Sequence, residues 1–221
     1  MKIHAAELTE LNSGQYESLL RKIPKEKQRQ AGRFRYRRDS LRTVLGYNLA
    51  LAMLEKYFGM TQIHIEFNPY GRPYLSKENA FFSISHSGKW VVCAVDKVPV
   101  GIDIQKQFQV WDIWSVGQEA LTEKEYDRMR RSADSRAYFF DCWCRKEAAI
   151  KCIGKGLFMM REIETGKGSC MVENKRYYLK QIKGFSGYSF AVCSEGDISN
   201  CQVEISPLLN AIGQPYLKVR R

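Results

Sequence analysis

The chain of 221 residues has no long hydrophobic stretch. Its apolar runs, such as Val91 to Val95, fall far short of the roughly 20 residues that span a bilayer. The opening MKIHAAELTE has no apolar core, so a secretory signal is not expected. No Cys-x-x-Cys pair occurs among the seven cysteines, and an odd number of thiols without an export signal reads as a reduced protein of the cytoplasm. The three histidines, at 4, 64 and 86, have neither finger nor zincin spacing, which argues against zinc. The Gly-x-Ser-x-Gly pattern is missing too, so SISHSGKW at 83 to 90 is not a nucleophile elbow. The rest is ordinary globular usage, 44% apolar and 27% charged, which excludes general disorder. A chain of this length can bury roughly 70% of its unfolded surface and needs no disulfide or structural metal to fold.

Acidic residues are also few, 24 against 35 Lys and Arg, for a net charge of +11. The excess is concentrated. Residues 21–42 (RKIPKEKQRQAGRFRYRRDSLR) carry a net +8 and residues 145–161 (RKEAAIKCIGKGLFMMR) a net +4, while everything else sums to −1. A solvated helix face could account for one such run. Two of them holding all the excess favour an anion site, because opposed basic patches raise the local anion concentration. The anion could be nucleic acid, a phosphorylated metabolite or an acidic protein.

Periodicity divides the chain into helices followed by strands, twice, with the change near residue 105. Gln15 to Ile23 and Asp39 to Phe58 read as helices, stopped by Pro24 and Gly59. Ile63 to Phe67, Phe81 to Ser85, Trp90 to Val95 and Val100 to Gln105 read as short strands of a meander. Thr122 and Glu125 form a capping-box signature, and Ser135 to Ile153 reads as a long helix stopped by Gly154. Tyr177 to Lys183, Tyr188 to Ser194 and Gln202 to Ile205 are the second set of strands. WVVCAVDKVPVGIDI echoes SFAVCSEGDISNCQVEI. The expected fold is therefore α+β: two similar α/β halves in a pseudo-twofold arrangement, each a small antiparallel sheet packed with helices. The halves are 1–105, with the basic helix and the SISHSG and GID strands, and 106–221, with the WCRKEAAIK helix and the second sheet. Without a low-complexity linker they should pack tightly, and ligands often lie between such halves.

Three elements carry chemistry. In VGIDIQ at 100 to 105, alternation sends Asp103 and Gln105 to one face and Ile102 and Ile104 to the other. An Asp among buried isoleucines is costly unless paired or metal-bound; a turn bond or salt bridge would serve as well as a metal. In FFDCWCRKEAAIKCIGKGL at 139 to 157, Trp143, Glu147 and Lys151 share one helical stripe, and Phe140, Cys144, Ala148 and Cys152 form an adjacent core stripe. Glu147 and Lys151 could be an ordinary surface pair. They also precede Gly154-Lys155-Gly156, a basic turn suited to phosphate. One carboxylate from each half would make a hard-oxygen Mg²⁺ site. In SISHSG, Ser85 and His86 suit hydrogen bonds to phosphate oxygens, although turn or core roles would also explain them.

The ordered set GRPYL, FSISHSGKWVVCAV, VGIDI and FFDCWCRKEAAIKCIGKGL resembles the Sfp-type 4′-phosphopantetheinyl transferases over residues 70 to 157, and RFRYRRDSLRTVLG resembles that family's basic N-terminal helix. The resemblance implies Mg²⁺-dependent transfer of the phosphopantetheine arm of coenzyme A to a serine of an apo acyl or peptidyl carrier protein, with release of adenosine 3′,5′-bisphosphate. It implies that Asp103, Gln105 and Glu147 hold Mg²⁺ (or Mn²⁺). Glu147, Lys151 and Asp103 would be the catalytic residues, with Glu147 accepting the serine proton. Lys27, Arg42, Thr43, Ser85, His86, Lys146, Lys151 and Lys155 would meet coenzyme A phosphates, and Gly71, Arg72 and Pro73 would lie beside the adenine.

Two positions depart from the family pattern. Its usual Gly-x-Asp-x-Glu ends here in Gln105, which brings no charge to the metal. Gln30 stands where a lysine can occur, with Arg29 or Arg33 as substitutes. The expected partner is a carrier with an acidic helix, met by Trp111, Ile113, Trp114 and Val116. Neither nucleic acid nor membrane is expected, and the chain should be a monomer. The competing readings are a carrier-binding relative without activity, prompted by Gln105, and a basic RNA-binding protein, for which no RNP, KH or helix-turn-helix signature is present.

Overall fold

The computed structural model describes residues 1–76, 79–108, 112–166, 168–207 and 210. The first half contributes a strand at Lys2–Glu7 (β1) and helices at Ser13–Leu20 (α1), Lys25–Ala31 (α2) and Arg37–Phe58 (α3). Its further strands are Ile65–Phe67 (β2), Pro73–Leu75 (β3), Phe81–Ser87 (β4), Trp90–Asp96 (β5) and Val100–Lys106 (β6). The second half has helices at Ile113–Ala120 (α4), Glu123–Arg130 (α5) and Ser135–Ile153 (α6), then a 3₁₀ turn at Leu157–Arg161. Strands follow at Ser169–Val172 (β7), Lys175–Gln181 (β8), Tyr188–Ser194 (β9) and Val203–Ile205 (β10). The chain is α+β, as expected.

The helix signals act locally as the sequence indicates. At α5 the Thr122 hydroxyl accepts from Glu125 N while the Glu125 carboxylate accepts from Thr122 N, closing the capping box. Helix α6 ends where Gly154 takes a left-handed φ of 83°, a conformation that costs a side-chain-bearing residue. β1, α2, β3, α4 and β7 have weaker signals and are not read from the sequence. Charged ends hide β1, and the strongly basic composition of 25–31 hides α2.

Strand pairing departs from a meander. β4 and β5 form a hairpin, β5 pairs with β1, and β1 pairs in parallel with β10, giving the order β10-β1-β5-β4. β6 leaves this sheet and pairs with β9 in a second one, ordered β6-β9-β8-β7. Each sheet thus includes one strand from the other half. β2 and β3 form a separate two-stranded ribbon.

The layers follow from which faces are apolar. Leu41, Val44, Leu45 and Leu49 of α3 pack on Val91, Cys93 and Val95 of β5. The opposite face of that sheet, with Ile3, Ala5, Val92 and Ala94, shares a core with Ile102, Ile104, Phe190 and Val192 of the second sheet. The outer face of the second sheet, with Leu179, Ala191 and Cys193, is covered by Cys144, Ala148 and Cys152 of α6. At the edge between the sheets, β4 and β6 do not pair backbone to backbone. Alternate serines of β4 accept instead from alternate amides of β6: Ser83 Oγ from Ile102 N at 3.1 Å, Ser85 Oγ from Ile104 N at 3.3 Å and Ser87 Oγ from Lys106 N at 3.0 Å. This serine ladder is the seam of the molecule.

Candidate active site

The site begins at a glycine. A Cβ on Gly101 would lie 1.9 Å from the Ala148 carbonyl oxygen and 2.5 Å from Cys152 N, so only glycine lets α6 rest directly on β6. Asp103, two residues along the same face, is thereby brought beneath Glu147 and Lys151. Lys151 Nζ donates to Asp103 Oδ1 at 2.6 Å and lies 3.8 Å from Glu147 Oε2. Ser85 uses its hydroxyl twice, accepting from Ile104 N and donating to Asp103 Oδ1 at 2.7 Å.

Asp103 is only 5% exposed, and its second oxygen, Oδ2, has no hydrogen-bond partner. A buried carboxylate oxygen left in this state is costly. Burial, and secondarily the Asp103 charge, push the Glu147 carboxyl above its usual range against the pull of Lys151. Burial would lower the Lys151 ammonium, but Asp103 and Glu147 outweigh it and raise its pKa. Two carboxylates, one with an unsatisfied buried oxygen, fit a hard divalent cation. Among the described residues no set of three His, Cys, Asp or Glu is placed to hold a metal. The buried Cys144 thiol adjoins Asp103, and burial, helped by the Asp103 charge, pushes it above its usual range. The next position on this face of β6 is the half-buried Gln105.

His86 lies on β4 with an exposed edge, in a crowded and positive setting. Surrounding protein, then Lys151 and Arg42, hold its pKa below the ordinary 6.5. Arg42 donates from Nε and Nη2 to Gly88 O, fastening the β4–β5 turn just beyond His86, and from Nη1 to Asp39 Oδ1.

A cavity of about 250 Å³ opens beside Glu147 and Lys151, lined also by Gly71, Arg72, Pro73, Ile84, Lys155 and Gly156 among others. Asn68 builds its far wall. Its Oδ1 accepts from Tyr70 N and Arg72 N, which folds the 68–72 turn, and its Nδ2 donates to Gly154 O at 2.7 Å, tying that turn to the end of α6. The Arg72 guanidinium lies over Gly154, where a Cβ would come within 2.5 Å of Nη1. Tyr70 lines the cavity and is exposed, its ring packed against that of the exposed Phe158 with centroids 5.8 Å apart. Lys155 pairs with Glu173 at the edge.

Six of the sequence-predicted residues therefore line one cavity, with Asp103, Ser85 and His86 at the adjoining seam. Others are placed differently. Lys146, expected to meet phosphate, is fully buried on the far side of α6. Its ammonium donates to Glu125 Oε2 at 2.7 Å, Met160 O at 2.6 Å and Ile163 O at 2.5 Å, so all three protons are used and none reaches the cavity. Ser85 gives its proton to Asp103, which leaves none for a phosphate oxygen. Thr43 is buried with its hydroxyl turned back to Asp39 O, and Lys27 stands over the Phe67 ring at 4.8 Å and does not line the cavity. Of the apolar residues after Gln105, Ile113 is core, Trp114 is 45% exposed, Val116 is half-buried, and Trp111 lies outside the described residues. The sequence reading missed Asn68, Ser83 and Ser87. The Asn-Pro dipeptide and the alternating serines of FFSISHS were the available signals.

The comparisons with known proteins cover the same span. Residues 11–98 match the model described as 4′-phosphopantetheinyl transferase, N-terminal, and residues 99–193 match the 4′-phosphopantetheinyl transferase superfamily. 4′-phosphopantetheinyl transferase Sfp of Bacillus subtilis is 32% identical across 83% of this chain and 87% of that one. 4′-phosphopantetheinyl transferase psf-1 of Bacillus pumilus is 33% identical across 97% and 98% of the two chains. 4′-phosphopantetheinyl transferase gsp of Aneurinibacillus migulanus is 34% identical across 78% and 76%. With the serine seam, Asp103 and the α6 carboxylate all inside residues 11–193, and with relatives 32–34% identical over most of the chain, the chain belongs to the 4′-phosphopantetheinyl transferase superfamily.

Proposed function

We propose that the protein moves the phosphopantetheine arm of coenzyme A onto a serine of an apo acyl or peptidyl carrier protein, using Mg²⁺ held by Asp103 and Glu147 with Gln105 beside them. The observation that carries this reading is the convergence of Asp103 and Glu147 on Lys151, with Asp103 Oδ2 buried and unpartnered. The ion would neutralise charge on the pyrophosphate oxygens when bound. The chain's own residues do the rest. Lys151 and Lys155 would meet the phosphates from the cavity wall and His86 from the adjoining seam, while Arg42, held on Gly88 O and Asp39, fixes the turn beyond His86. Gly71, Arg72 and Pro73 give the cavity wall on which the nucleoside end rests. Transfer at phosphorus is mostly alignment and charge stabilisation. The serine oxygen bonds to the phosphorus bearing pantetheine as the pyrophosphate P–O bond breaks, and adenosine 3′,5′-bisphosphate leaves. Glu147, at the cavity wall beside Lys151, would accept the serine proton, the role the family resemblance gives it.

Exposed Trp114 on α4 and the net charge of +11 support docking of an acidic carrier helix, with faster association at low salt. The protein acts as a monomer in the cytoplasm, where its seven free thiols stay reduced. No described helix is long and apolar enough to cross a membrane. The test is a panel of apo-carriers incubated with coenzyme A and Mg²⁺ and weighed for the gain of one phosphopantetheine. Asp103→Ala and Glu147→Ala should lose about a hundred- to a thousandfold in rate while remaining folded, the scale of a lost principal electrostatic contact. A folded wild-type chain that modifies no carrier would overturn the reading.

A further inference from the structure

Lys151 occupies the space between the two carboxylates. Its ammonium is 2.6 Å from Asp103 Oδ1 and 3.8 Å from Glu147 Oε2, so the negative pair already has a cation between its members. A divalent ion entering there meets a positive charge a few ångströms away. Lys151 also differs from its helix neighbour Lys146, whose three protons are fixed by Glu125, Met160 O and Ile163 O. Lys151 lines the cavity of about 250 Å³, and its side chain is 28% exposed, which leaves it room to swing outward without crossing packed core.

We propose that the Lys151 ammonium is a placeholder for the divalent ion: it neutralises Asp103 and Glu147 while the metal is absent, and it moves outward to anionic phosphate when the metal enters. The inference rests on the metal reading given above and adds a competition to it. Phosphate groups in the cavity would draw the ammonium away from the carboxylates and so open the metal position. Metal and phosphorylated donor therefore favour one another's binding, and by linkage the effect is reciprocal. Ser85 keeps its bond to Asp103 Oδ1 through the exchange, so the carboxylate stays aimed while its cation changes.

The test is Mn²⁺ binding measured by the electron paramagnetic resonance signal of the free ion, without coenzyme A, on the wild-type chain, Lys151→Gln and Asp103→Asn. Removing a unit charge from within a few ångströms of a divalent ion should tighten Mn²⁺ by at least about tenfold in Lys151→Gln. Asp103→Asn should bind none. Coenzyme A should then improve Mn²⁺ affinity by a smaller factor in Lys151→Gln than in the wild type. Equal or weaker Mn²⁺ binding by Lys151→Gln overturns the placeholder. If neither chain binds Mn²⁺ alone, the placeholder is also overturned, and a repeat with coenzyme A decides the metal reading separately. Binding that appears only with coenzyme A keeps the metal, and none under either condition removes both. Should Lys151→Gln not fold, the wild-type chain serves: Mg²⁺ alone should raise the rate of amine acylation at Lys151, read by mass spectrometry, and an unchanged or slower rate overturns the proposal.

Discussion

Helix α6 carries the lysines of two lysine–carboxylate pairs, five positions apart, and the pairs differ in how completely they are satisfied. In the Glu125–Lys146 pair every group has a partner. Lys146 spends three protons on Glu125 and two carbonyls, and Glu125 accepts from Thr122 N, Thr165 N and Thr165 Oγ1 as well. In the Asp103–Lys151 pair one carboxylate oxygen has none, and a second carboxylate stands 3.8 Å from the ammonium. The first pair is closed and fastens the 3₁₀ turn and the segment up to Thr165 to α5 and α6. The second is open on the side facing the cavity. Similar charges on one helix thus serve shape in one place and chemistry in the other, and what separates them is the unfilled hydrogen-bonding capacity.

That contrast can be broken experimentally. The largest effect should come from Lys146→Met, which leaves Glu125 buried and unpaired and should cost about 3–5 kcal/mol in denaturant unfolding. Lys151→Met should cost less, because Lys151 itself is partly exposed and the buried Asp103 keeps the hydrogen bond from Ser85. Equal losses would mean that the two pairs are energetically alike. A smaller effect separates the pairs by pH. Burial would raise the Glu125 carboxyl, but Lys146 and the backbone N–H donors outweigh it and hold the group below its ordinary 4.5. Its stabilisation is then fully present above pH 4.5 and is lost as pH falls through the depressed folded value. The stability difference between the wild type and Glu125→Gln should shrink as pH is taken below 4.5, and a difference that stays constant would contradict the closed-pair description. The smallest effect concerns the open pair: Gln105→Glu, adding a charge two residues from Asp103, should lower the Mg²⁺ needed for half-maximal transfer by a few-fold. An unchanged or raised requirement would place Gln105 away from the metal.

Much of this was legible in the sequence, for identifiable reasons. Alternation in VGIDI put Asp103 on the face opposite Ile102 and Ile104, and the 3.6-residue period put Glu147 and Lys151 on one stripe. Those rules depend only on local geometry. The placement of Lys146 is not legible, because the sequence marks its partner Glu125 only as the third residue of its own capping box, and that carboxylate also closes a contact with another helix. Strand partners were hidden for a similar reason. Period-2 alternation says which side chains share a face but not which edge a strand joins, so β6 looked like the last strand of a meander.

The exchange of β6 and β10 between the sheets has its own consequence. Neither half can be excised with its neighbours intact, since removing residues 100–106 bares one edge of β9 and removing 203–205 bares one edge of β1. The two halves should therefore melt in a single cooperative step, and a fragment cut between them would be a pair of sticky, unfinished sheets instead of a minimal enzyme.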